Sequence, residues 1–261
     1  MNPLKDHFFE HALKEPIVSD EQTSTLNRYL DIFSHIAIES FYVLDIQQKQ
    51  FCHIKPDDLF LCGFSIDDAL KEGYGFYSKI VYPEDLSLWT DIQNAILRYL
   101  KDFNEKQSDI DYFSCTFRLQ RVYSFLPQRP LSQMVYHRIK HILEDGELRY
   151  LICSVRGSTS KKTGNLCMYN KDHLTYREYN FITKRWKQKT IGLLTEREKA
   201  ILILAGQGKN SGEISSDLCK GHNTIRNQIK SLFSKLDVHS MQEAIEFARY
   251  HRLIYPKQNK K

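Results

Sequence analysis

The chain has 261 residues, 41 % of them hydrophobic and 26 % charged, with a formal net charge of +5. That length suits about two domains of ~100–200 residues each, and the apolar content is that of packed cores, which excludes disordered and fibrous classes. No run approaches the ~18 consecutive apolar residues of a membrane span, and the opening MNPLKDHFFEHALKEP mixes acids and His into its apolar positions, unlike a secretory signal; a cytoplasmic protein with no membrane partner is expected.

Residues 3–38 read as helical. FFEHAL and LNRYLDIFSHIAIE repeat apolar residues at i, i+3, i+4 and i+7, with a break at EPIVSDEQTS. At Phe41 the period changes to that of strands: FYVLDI, a polar QQKQ turn, then FCHI. Pro56 and SIDDALKEG suggest short helices, and YPEDLSLWTDIQNAILRYL a longer one, opened by Pro83, Glu84 and Asp85 where proline and acids suit the first turn. Three strand-like runs follow, DYFSCTFRLQR, QMVYHRIKHIL and LRYLICSV. Asp145-Gly146 gives a tight-turn signal between the last two.

This order is an α+β pattern with a small antiparallel sheet, not the βαβ alternation of a doubly wound fold. Over residues 40–157 it resembles a PAS domain, a sensor module with a five-stranded sheet and helices across one face. YPEDL is similar to the H-P-E-D-L stretch of one PAS subgroup, with Tyr82 in place of the His. The resemblance implies that this part senses a ligand or a protein partner; no cofactor is identified, and a small-molecule ligand of the PAS-like domain is what the resemblance allows. GSTSKKTG reads as a flexible polar linker. Asn165 to Lys189 then reads as a strand pair or strap leading to the C-terminal part.

Charge is unevenly spread. Residues 1–190 hold 25 basic and 25 acidic side chains, while residues 191–261 hold 12 and 7 and so carry the whole excess. A small basic part joined to a neutral larger one suits a polyanionic partner. Within it, Thr195 and Glu198 form a capping box before EREKAILILAGQG, whose Gly206 and Gly208 suit a C-terminal cap. Asn210 with Glu213 and Ser240 with Glu243 are similar pairs, giving four short helices with tight joints. In KGHNTIRNQIKSLFSKL, Ile225, Ile229, Leu232, Phe233 and Leu236 share one stripe at 3.6 residues per turn. Asn223, Arg226, Asn227 and Lys230 project from the other side, with no acid among them. A helix-turn-helix needs a second helix of this kind, buried on one face and offering Arg, Lys and Asn to base edges in the major groove.

The run LTEREKAILILAGQGKNSGEISSDLCKGHNTIRNQIKSLFSKLDV resembles the helix-turn-helix domain of the LuxR/NarL transcription regulators over residues 193–250. It shares LTxRE, a glycine-ended first helix, EI with L four residues on, TI followed by RN, and KLDV. The resemblance implies base contacts by Arg226, Asn227 and Lys230. It implies backbone contacts by Thr224 and Lys235, with the turn from Lys220 to Asn223 also close to phosphates. It further implies dimer contact through Met241, Ile245 and Ala248, double-stranded DNA as partner, a homodimer, and a contact with RNA polymerase. The chain departs from the family at Lys220, where an apolar residue is usual, at Gly221 for a Ser cap, at Gln228 for a His, and at Ser215 for an Ala.

Other motifs lead elsewhere. SCTFRLQ is similar to the Asn-Cys-Arg-Phe-Leu-Gln motif of flavin-binding light sensors, but Cys115 falls in a strand-like run with the residues out of order, so no flavin adduct is expected. Asp57-Asp58 reads as acids opening a helix, not as a phospho-acceptor. Cys52 and His53 point to opposite faces of a strand and form no dyad. His137 and His141 share a strand face and read as exposed or cross-strand histidines. The six cysteines, Cys52, Cys62, Cys115, Cys153, Cys167 and Cys219, show no C-x-x-C spacing and read as free thiols. No phosphate loop or nucleophile elbow occurs, so no enzyme is expected.

The expected organisation is thus a helical segment at 1–39, a PAS-like sensor at 40–157, a linker and strap at 158–190, an all-α LuxR-type helix-turn-helix domain of four helices at 191–255, and a basic tail at 256–261. A signal in the sensor would change how the basic domain is held. The alternative is a signalling adaptor that uses both parts for protein contacts.

Overall fold

The computed structural model describes residues 20–102, 109–123, 126–158, 160–172, 175–192, 194–251 and 253–254. The chain divides into two compact units. One is built on residues up to 169 together with 177–187, the other on 170–176 together with 188 onward.

The first unit is α+β. Helix α1 (Asp20–Ile36) precedes β1 (Ser40–Asp45) and β2 (Gln50–Ile54), then α2 (Asp58–Leu61), α3 (Ile66–Glu72), α4 (Tyr77–Ile80) and α5 (Leu86–Asp102). FFEHAL lies outside the described residues. Three long strands follow, β3 (Ile110–Tyr123), β4 (Leu126–Glu144) and β5 (Glu147–Gly157), then β6 (Gly164–Asn170), β7 (Thr175–Asn180) and β8 (Arg185–Thr190). The strands form one sheet in the order β2-β1-β5-β4-β3-β6-β7-β8. The five expected strands are its first five, and the segment read as a strap continues it with three more. Asp145 and Gly146 take φ of 52° and 83°, the left-handed pair that a two-residue hairpin turn between β4 and β5 requires.

Strand β5 alternates as a half-buried strand should, with Leu151, Cys153 and Val155 inward. Strand β1 is buried at all six positions because it is covered on both faces. Phe33 of α1 meets Phe41 at 5.2 Å on one side, and Phe60 of α2 stacks on Tyr42 at 4.2 Å on the other. Helix α5 turns Trp89, Ile92, Ile96 and Tyr99 inward at helical spacing, and Trp89 packs on Tyr77 and Phe117.

Polar groups inside this core are joined to one another. The Tyr77 hydroxyl donates to that of Tyr42 (2.5 Å), which pairs in turn with Nε2 of His137 at 2.7 Å. Neither His137 nor His141 is exposed, at 0 % and 6 %, which corrects the exposed option and leaves the cross-strand one: His137 sits opposite Cys115. Burial lowers the His137 pKa to about 3, so it is neutral. Arg149 and Asp45 form an ion pair at 2.8 Å, each only 2 % exposed. The acids of YPEDL do more than open a helix. Asp85, on the 3-10 turn Pro83–Asp85, accepts from the backbone N–H and the guanidinium of Arg118 on β3, Glu84 accepts from the same guanidinium, and Tyr82 lies under it at 4.4 Å. Asp57 caps α2 through a bond from the Leu59 N–H, and all six cysteines are free.

The second unit holds α6 (Glu196–Gly206), α7 (Ser211–Asp217), α8 (His222–Leu236) and α9 (Met241–Tyr250). Thr195 with Glu198 and Asn210 with Glu213 form complete capping boxes. Ser240 caps α9 by accepting from the Glu243 N–H, while the Glu243 carboxylate reaches the N–H of His239, one residue earlier than a box requires. The core joins Leu194, Ile201, Leu202, Ile214, Ile225, Leu232, Leu236, Ala244, Ile245 and Ala248. Among the described residues no helix is long and apolar enough to cross a membrane.

Candidate nucleic-acid interface

Helix α8 buries Ile225, Leu232 and Leu236 against the core of its unit. Opposite them, Asn223, Thr224, Arg226, Asn227 and Lys230 are all exposed. None of their side chains has a hydrogen bond or ion pair among the described residues. Single-residue rotation of about 100° sets Arg226, Lys230, Asn223 and Asn227 within an arc of about 100° around the helix. The result is a face of cations and amides, about two turns long, that nothing in its own unit engages. Such side chains keep long-stem entropy when free, and lose it only to a partner.

The turn that presents this face is held from α7. Cys219 takes the left-handed φ of 48°, and the Lys220 N–H donates to the Ser215 carbonyl at 2.9 Å. The Ser215 hydroxyl donates back to the Lys220 carbonyl at 2.6 Å. Gly221 is the N-cap of α8, with extended backbone and no side chain to cap with. Ser211 and His222 pair at 3.0 Å across the same joint. Ser215 thus anchors the turn through a hydroxyl, and the exposed Lys220 side chain has no partner among the described residues.

Three expected site residues are placed differently. The Lys235 ammonium pairs with Glu198 at 2.8 Å, and its stem crosses Gly192 so closely that a Cβ there would lie 3.1 Å from two of its carbons. It is engaged within the unit rather than free for a phosphate. Burial pushes the Glu198 carboxyl up, but bonds from Lys235 and from the Thr195 N–H and hydroxyl outweigh it and hold the pKa below the usual carboxylate range. Ile245 and Ala248, at 6 % and 0 % exposure, face the unit's own core, so of the three expected dimer contacts only Met241 keeps surface. An apolar stripe on α9 fits core and dimer equally well by periodicity, and the core takes it here.

Arg197 lies in the shared LTxRE and Gln228 is a departure from the family pattern, but neither they nor Ser231 is an expected site residue. With Thr195 and Glu198 these three line a concave groove of 410 Å³ between the start of α6 and the side of α8. The signal was indirect: Gln228 and Ser231 are three apart on α8, beside rather than on the front arc.

Residues 192–248 match the family model of GerE, described as bacterial regulatory proteins of the luxR family. The transcriptional regulatory protein DesR of Bacillus subtilis is 44 % identical over 52 residues, which are 20 % of this chain and 26 % of DesR. The response regulator protein VraR of Staphylococcus aureus is 36 % identical over 62 residues, 24 % of this chain and 30 % of VraR. The chain therefore spans less than a third of these relatives' length. Among solved structures, the Vibrio cholerae VqmA dimer aligns over 92 % of both chains at 15 % identity with a TM-score of 0.33, a superposition too loose to transfer any feature. The family-model match falls where the four helices α6 to α9 lie: over residues 192–248 the chain carries a domain of the luxR family of bacterial regulatory proteins.

Proposed function

We propose that the chain is a sequence-specific DNA-binding transcription regulator whose α8 enters the major groove. The observation that carries this reading is the front of α8, where Arg226, Asn227, Lys230 and Asn223 are exposed, unpaired among the described residues, and with no acid among them. Arg and Lys suit the paired acceptors of guanine, and Asn the donor and acceptor of adenine. Thr224, Asn223 and the free Lys220 at the turn are the backbone contacts of the reading. A helix is 10–12 Å across and fills the ~12 Å groove, which brings the turn before it next to phosphates.

The regulator works as a homodimer, with Met241 and its outward neighbours Gln242, Glu246 and Arg249 on α9 forming the contact in the helical unit. The α+β unit is a PAS-like sensor at 40–157, and its helices over an antiparallel sheet support that reading. A ligand or protein partner bound there shifts the population of states in which the helical unit can dimerise on DNA. A cytoplasmic location and contact with RNA polymerase belong to the same proposal.

Selection of bound fragments from a random DNA pool, followed by binding at two salt concentrations, tests it. A recovered motif and a steep loss of affinity with salt support regulation through DNA. Affinity that stays flat with salt favours an adaptor acting through protein contacts, since neutralised phosphates must release counterions.

A further inference from the structure

We propose that Arg197, with Gln228 and Ser231, grips a DNA backbone phosphate on the flank of α8, in the place that family pattern gives to Lys235. The inference rests on the reading that α8 meets DNA, and it adds a residue on a different helix to that interface.

The geometry begins with the helix. At about 100° per residue, Arg226, Lys230, Asn223 and Asn227 occupy the front of α8, and Ser231, Lys235 and Gln228 follow on one side before the buried stripe begins. Against that side lies the start of α6. The two helices enclose the 410 Å³ groove whose walls are Thr195, Arg197, Glu198, Gln228 and Ser231. A helix seated in the major groove has a sugar-phosphate strand along each flank, because its diameter nearly equals the groove width. This groove opens on one such flank.

Its chemistry fits an anion. Glu198 lies in the wall, yet its carboxylate is already answered by the Lys235 ammonium at 2.8 Å and by the Thr195 N–H at 2.7 Å. Arg197 is exposed, and its side chain has no hydrogen bond or ion pair among the described residues. The Oε1 atom of Gln228 is buried and has no hydrogen-bond partner. A buried acceptor beside a free guanidinium is an incomplete arrangement, because an arginine carries five donors and no acceptor. One N–H of Arg197 donating to Gln228 Oε1 orients the fork, and the others then meet a phosphate oxygen together with the Ser231 hydroxyl. Lys235 cannot serve there without uncovering Glu198, so its positive charge holds the wall neutral while that of Arg197 faces out.

The test compares salt dependence for the full chain on a duplex recovered by random-pool selection and on a scrambled duplex. For Arg197→Gln the plot of log affinity against log salt is expected to be shallower by about 0.9, the contribution of one phosphate, with equal weakening on both duplexes. Ser231→Ala is expected to weaken both by a few-fold. Lys235→Met, checked by thermal melting to be folded, is expected to change the slope by less than Arg197→Gln does. The inference is overturned if Arg197→Gln keeps the wild-type slope, if its loss is confined to the selected duplex, or if Lys235→Met rather than Arg197→Gln flattens the plot. Wild-type binding that ignores salt removes the DNA reading itself, a result separable from all of these.

Discussion

Three arginines of the α+β unit and the cations on the front of α8 differ in one respect. Arg149 is closed off with Asp45, Arg118 with Asp85 and Glu84, and Arg138 with Glu39. Arg226 and Lys230 have no side-chain partner among the described residues, although their unit contains acids within reach of other cations, as Lys235 with Glu198 and Lys209 with Asp217 make plain. A cation that serves the fold is answered inside it. One that is left open on a helix cleared of acids is, on the proposed reading, available to a polyanion. The distinction separates Lys235 from Arg226 on the same helix, where composition treats them alike.

The difference can be pressed from the fold side first. Asp45→Ala removes the buried carboxylate of the Arg149 guanidinium and leaves it with Gln47 Oε1 and, at 3.7 Å, the half-exposed Glu144, so a loss of about 3 kcal/mol is expected in chemical denaturation of the α+β unit. A loss below about 1 kcal/mol would mean that the closed cations are not structural, and the contrast with α8 would fail with it.

Acid titration sharpens the same unit's side of the contrast. The folded pKa of His137, about 3, lies below its unfolded value near 6.5, so the unfolded chain binds the extra proton between them. Stability from this group is full above about pH 6.5 and declines as pH falls toward the folded value. His137→Gln, which keeps a polar group for Tyr42 but does not titrate, is expected to flatten the stability curve between about pH 6.5 and 5, where carboxylates stay ionised. Equal slopes for both proteins in that window contradict the burial argument. The smallest effect belongs to the helical unit, where Thr195→Ala removes one cap from α6. Thermal melting should register a loss of about 1 kcal/mol, with Arg226 and its neighbours untouched.

Much of this arrangement is legible in the sequence, and the exceptions have physical causes. Element order from Phe41 to Val155 follows from strand and helix periods, and the Asp145-Gly146 hairpin from its turn chemistry. The caps at Thr195 and Asn210 follow from residue types three apart. The last three strands read only as a strand pair or strap because β7 and β8 barely alternate: β8 (RWKQKT) is exposed or half-buried throughout. Lys235 escaped because its partner lies 37 positions away, a distance no helical period encodes. Ile245 and Ala248 escaped because one apolar stripe serves a core or a dimer equally. Ser215 reads as a departure from the family pattern, yet its hydroxyl fastens the turn in front of α8 through a contact five residues on that no helical period encodes.

The most direct measurement is the affinity of Arg226→Ala for the selected duplex relative to a scrambled one, read beside its melting curve. The expected result is unchanged melting and a specificity ratio lowered by about 5- to 150-fold, equivalent to ~1–3 kcal/mol from one base-reading arginine. A ratio equal to wild type, or a fall in melting temperature large enough to account for weaker binding, would contradict the claim that this open cation is kept for DNA.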